Sequence, residues 1–169
     1  MREGTTGGAT DRSRPDCMSR SPAGEDPFNL ERFVEAQSGD YEQALRELRG
    51  GRKYGHWIWY ILPQMRGLGM SSTSAHYGIG SLDEAREYLA HPILGPRLRE
   101  CVEAVAMHAG SSATEIFGSL DAMKFRSCLT LFAEAENGPS LFTQALAQFF
   151  NNQRDPRTLE LLANAGRRN

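Results

Sequence analysis

Helix-opening signals recur along this chain, each followed by apolar residues at helical spacing. No run between turn signals alternates apolar and polar residues with period two. Asp26-Pro27 supplies an N-cap and a first-position proline ahead of Leu30, Phe33 and Val34. Ser38-Gly39 is read as the end of that helix. Asp40 with Gln43 three residues on opens a second through Ala44, Leu45 and Leu48, which Gly50-Gly51 stops. A short helical turn is expected over Ser74 to Ile79. Ser81 with Glu84 opens a helix to about Ala90, with Ala85, Tyr88 and Leu89 inward, and His91-Pro92 ends it. Gly95-Pro96 lies at the start of the next, whose apolar face is Leu94, Leu98, Cys101, Val102 and Val105. Ser112 with Glu115 repeats the capping pattern. The stretch Ser119 to Ala135 carries Phe125, Cys128, Leu129 and Phe132 at helical spacing. Pro139-Ser140 leads into Leu141, Ala145, Leu146, Phe149 and Phe150, and Asp155-Pro156 into Leu159, Leu161 and Leu162. The reading is all-α: a single compact multi-helix domain of about seven to nine helices. No fixed-period repeat points to a solenoid.

Residues 1–25 are rich in Gly, Ser, Thr, Pro and Arg without a periodic apolar face, and are expected to be a disordered leader that includes Cys17. The helical domain is placed at 26–163 and a frayed C-terminus at 164–169. A net charge of −2 gives no excess of Lys and Arg to neutralise phosphates, so no nucleic-acid polymer is expected as partner. No apolar run reaches membrane-spanning length and no apolar signal segment opens the chain. Three widely spaced cysteines suit free thiols in a reducing cytoplasm.

The stretch Lys53 to Gln64 holds both tryptophans, two tyrosines and His56. Read as a helix ended by Pro63, it places His56, Trp59 and Tyr60 on one side. Trp57 and Trp59, two apart, cannot share a helix face, so one is expected in the core and one beside a cleft. Arg66 to Ser72 is read as a loop, with no Gly-Lys-Ser/Thr to make it a phosphate loop.

The residues Arg32 to Gln37, Lys53 with His56 to Tyr60, Pro63-Gln64, Gly67-Leu68-Gly69, Tyr88 to Pro92 and Ile116-Phe117-Gly118 carry a resemblance to a known family. So do Asp121, Lys124, Ser127, Thr130 to Phe132, Asp155 and Thr158-Leu159. The chain resembles a family of small, mainly helical proteins of unknown function, found largely in bacteria and often mislabelled calpastatin. The resemblance spans roughly residues 26–163 and implies the helical fold without implying an activity. Cys128 stands where that family usually has a second serine after Ser127.

Candidate site residues follow from the clustering of polar groups with flat rings. His56, Asp121 and Lys124 are the catalytic candidates: an imidazole that titrates near neutrality, a carboxylate to orient a hydroxyl or base, and an ammonium to bind an anion. Lys53, Trp57, Trp59, Tyr60, Gln64 and Ser127 are the candidates for holding a ligand. This supposes that the 119–135 helix lies beside the aromatic stretch. The ligand expected is small, anionic and partly aromatic, such as a nucleotide or nucleotide sugar. No cofactor is expected, and the spacing of the four histidines fits no metal motif. The alternative is a protein-interaction module with an exposed Trp/Tyr patch.

Overall fold

A computed structural model describes residues 25–168, the side chain of Arg168 excepted. Among these residues lie nine helices and no strand. They are α1 (Glu31–Arg49), α2 (Ile58–Ile61), α3 (Ser72–Tyr77), α4 (Leu82–Ala90), α5 (Leu94–Ala106), α6 (Ala113–Phe117), α7 (Ser119–Glu136), α8 (Leu141–Phe150) and α9 (Pro156–Arg168). The all-α expectation holds, and the only extended pairing described is an isolated parallel bridge between Met65 and Ile79. The leader and Cys17 lie outside the described residues, apart from Glu25. A short segment ending at Glu31 is separate from the compact body that begins at Arg32. In that segment the Asp26 carboxylate accepts from the backbone N–H of Leu30 and Glu31, at 2.8 and 3.0 Å. The aspartate therefore caps the chain entering α1, a few residues later than its position suggests.

The body is built around α7. Every residue from Ser127 to Ala133 is buried, so this helix is covered on all sides there. Helices α4, α6, α8 and α9 pack against it, and α5 closes on α4 and α8. Phe125, Cys128, Leu129 and Phe132 are fully buried, as their spacing predicts. Only the first turns of α7 emerge, with Leu120 and Met123 exposed.

Two expectations fail. Ser38-Gly39 does not break the first helix, because α1 runs through it for 19 residues. A helical glycine costs about 1 kcal/mol. Burial of Phe33, Gln37, Tyr41, Ala44, Leu45 and Leu48 along one face outweighs that. Ser38 bonds its hydroxyl to Glu35 O, 2.8 Å away, inside the helix. The aromatic stretch, in turn, is helical only from Ile58 to Ile61. Before that the backbone N–H groups go elsewhere: Lys53 donates to Ile116 O, and Tyr54 and Gly55 to Glu47. These bonds tie residues 53–55 to other elements, and the chain turns helical only at Ile58.

The expected cap at Ser112 forms in full, that at Ser81 in part, and Ser140 adds one more. Ser81, Ser112 and Ser140 each accept from the backbone three residues on, with reciprocal bonds at Ser112 and Ser140. At Ser81 the reciprocal half is absent. Glu84 instead accepts from Gly80 N–H at 2.9 Å and pairs with Arg32 at 2.8 Å, both side chains buried. His91 Nδ1 accepts from Ile93 and Leu94 N–H and so caps the entry to α5.

Candidate functional site

The emerging first turns of α7 meet the 53–59 stretch through one carboxylate. Asp121 Oδ2 pairs with Lys53 Nζ at 2.7 Å, and Oδ1 with Lys124 Nζ at 2.9 Å. The two lysines differ in access. The Lys53 side chain is 5% exposed and its ammonium also donates to Gly55 O, whereas Lys124 is 29% exposed. Each ammonium lies over an indole: Lys53 over Trp57 at 5.0 Å and Lys124 over Trp59 at 4.9 Å. Burial alone would raise the Asp121 carboxyl, but the hydrogen bonds and charges of the two lysines outweigh it and hold its pKa below the ordinary value. Asp121 also sits in the first turn of α7, where the helix dipole favours a negative charge.

The tryptophans divide between core and surface as expected, although Trp57 lies outside the helix on which that expectation rested. Trp57 is core, 2% exposed, and its indole N–H donates to Glu47 Oε1 at 3.0 Å. Trp59 is half-buried, and its edge meets the loop before α3. A Cβ on Gly69 would lie 2.9 Å from Trp59 Cη2 and 2.6 Å from Ser74 Oγ, so only glycine lets that loop approach the ring.

Glu47 is a residue the sequence did not single out. Its Oε1 accepts from Tyr54 N–H, Gly55 N–H and the Trp57 indole, at 2.7, 2.9 and 3.0 Å, and its Oε2 accepts from Gln43. Burial works against ionisation, yet the bonds from Gly55, Gln43, Tyr54 and Trp57 bring its pKa down to about 2. A helix surface glutamate gives no signal of this; only the later loop reveals it.

The other candidates are dispersed. His56 lies exposed on the bend before α2, not on a helix face with Trp59 and Tyr60, and its side chain makes no hydrogen bond among the described residues. The Tyr60 hydroxyl donates to Asp40, and burial followed by that bond raises its pKa. The Gln64 side chain is buried, with its Nε2 unpartnered. Ser127 is turned to the start of α9: its hydroxyl donates to Asp155 Oδ2 at 3.2 Å and to Met123 O at 3.1 Å. Asp155 also accepts from Thr158 N–H and hydroxyl, so Ser127 belongs to a cap.

Burial pushes the Cys101 thiol up to about 12 and the Cys128 thiol well above its ordinary value, so neither presents a thiolate. No group of three or more His, Cys, Asp or Glu side chains among the described residues is placed to hold a metal ion. No described helix is long and apolar enough to cross a membrane.

A family model described as "Protein of unknown function (DUF1810)" matches residues 27–162. The chain is similar to a solved structure, the conserved hypothetical protein Rv1873 from Mycobacterium tuberculosis, at 49% identity and a TM-score of 0.80. The match covers 82% of this chain and 99% of that one. No curated protein matches. The resemblance read in the sequence, to a helical family without an assigned function, agrees with both findings.

Proposed function

The chain belongs to that family of proteins of unknown function, and from this starting point we propose that it binds a small anionic ligand with an aromatic part. A nucleotide or nucleotide sugar fits this description. The site lies where the 53–64 stretch meets the start of α7. The observation that carries the reading is the ammonium of the partly exposed Lys124, held between Asp121 Oδ1 and the face of Trp59. An ammonium has three N–H donors, and Asp121 takes one. The rest are free for an anion, while Trp59 offers a flat surface for a ring. Lys53, buried and bonded to Gly55 O, fixes Asp121 rather than touching ligand. His56 stands exposed on the bend of the same stretch as the candidate for proton transfer.

The test is thermal unfolding of the full chain against nucleotides, NAD-related metabolites, sugar phosphates and simple anions. A ligand at a hundredfold excess over its Kd stabilises the native state by about 2.7 kcal/mol. The expected result is a dose-dependent rise for anions bearing a ring, lost in Lys124→Ala. A rise that Lys124→Ala leaves intact contradicts the assignment.

One observation favours a second reading, a protein-interaction surface. Tyr54 and Leu120 are each 73% exposed, and Met123, three residues after Leu120, is also exposed beside Lys124. Trp57 is buried and cannot act as its anchor. Absence of any shift across the panel, with capture of a partner that Leu120→Asp abolishes, favours this second reading.

A further inference from the structure

We propose that the pocket between the Met65–Ile79 bridge and α9 is a separate binding site, for a small aliphatic carboxylate. Its volume is about 290 Å³, at the lower end of ligand pockets, so its occupant is small. Met65, Leu161 and Ala165 give it apolar walls, and Arg66 and Asn164 its polar groups.

Arg66 is seated on bare backbone. A Cβ at Gly78 would lie 2.6 Å from Arg66 Cα and 3.0 Å from its Cγ, and one at Gly80 would lie 3.0 Å from Arg66 Nη1. Two glycines therefore leave the room that this side chain occupies. The guanidinium is anchored by one bond, Nη2 to Gly78 O at 2.9 Å, while the backbone N–H is tied to Ile79 O at 2.7 Å. Arg66 is exposed; among the described residues no carboxylate pairs with it, and its Nε and Nη1 bond to no protein group. A guanidinium oriented beforehand, with unused donors in a planar fork, matches a carboxylate. Asn164 Oδ1 accepts from Arg167, which leaves the amide N–H groups as what Asn164 offers, again suited to an anion. The apolar walls take an aliphatic tail, and the pocket shares no lining residue with the Lys124 and Trp59 site.

The test uses ¹⁵N-labelled full chain titrated with hexanoate, and with hexanol and acetate as probes of tail alone and head alone. Hexanoate is expected to give saturable amide shifts confined to residues 65–67, 80 and 161–165. Hexanol and acetate are expected to bind at least about tenfold more weakly. Arg66→Ala lowers the hexanoate affinity by a similar factor. Ala165→Phe, which fills the pocket and keeps the guanidinium, abolishes the shifts; it decides the matter if Arg66→Ala fails to fold. Lys124→Ala leaves hexanoate binding unchanged. Absence of saturable shifts at these amides overturns the proposal, as does binding of hexanol equal to that of hexanoate, or hexanoate binding that survives Ala165→Phe.

Discussion

Glu47, Lys53 and Lys124 carry their charges in different surroundings, with different consequences. Glu47 has a folded pKa of about 2 against an ordinary 4.5. A depressed carboxyl contributes stability that is present above its unfolded value and lost as pH falls through the folded one. Unfolding free energy should therefore drop between about pH 4.5 and pH 2. Asp121, also depressed, acts in the same direction below its ordinary 3.8. Glu47→Gln should flatten part of that drop in urea titrations repeated across pH; an unchanged profile contradicts the role given to Glu47. The two lysines should differ in what they contribute. Lys53→Met strands the Asp121 carboxylate's buried partner side and should destabilise by roughly 3 kcal/mol. Lys124→Ala removes a partly exposed pair and should cost about 1 kcal/mol or less. Equal losses in chemical denaturation would place both lysines in one structural role.

At the scale of elements, the continuity of α1 and the cap of α9 each make a prediction. Gly39 lies inside α1, and a Cβ there meets nothing within 4 Å. Gly39→Ala should stabilise the protein by about 0.5–1 kcal/mol in urea unfolding, whereas a helix break at that position would make the change destabilising. Asp155→Ala removes the acceptor of Thr158 N–H, the Thr158 hydroxyl and the Ser127 hydroxyl, and should cost about 2 kcal/mol by the same measurement. A loss within a few tenths of zero, on the usual scale of surface changes, would contradict the cap. The caps at Ser81, Ser112 and Asp155 were legible in the sequence because a cap is a local device: acceptor and donor lie three residues apart. Ser38-Gly39 and Lys53–Trp57 were not legible for the opposite reason. The first is decided by a buried face that spans the glycine. The second is decided by acceptors at Glu47 and Ile116, brought in from other elements.

Across the whole molecule, α7 links the helical core to the proposed site. It is enclosed from Ser127 to Ala133, and it presents only its first turns beside the aromatic stretch. The approach of Lys124 to Trp59 agrees with the supposition that the two segments are neighbours, although only Ile58–Ile61 of the first is helical. The Lys53–Asp121 pair, the turning of Ser127 toward α9 and the seat of Arg66 depend on contacts between distant residues, which no periodicity encodes. Under the proposed function, Lys124 and Trp59 together receive an anion bearing a ring, while Trp57 stays in the core. With two tryptophans in the chain, the two indole N–H resonances report on this directly. Titration of the full chain with AMP and with NAD-related metabolites should shift the Trp59 indole saturably and leave the Glu47-bonded Trp57 indole in place. The shift should vanish in Lys124→Ala. A Trp59 resonance that stays fixed through every titration, or one that moves equally in Lys124→Ala, would contradict the account.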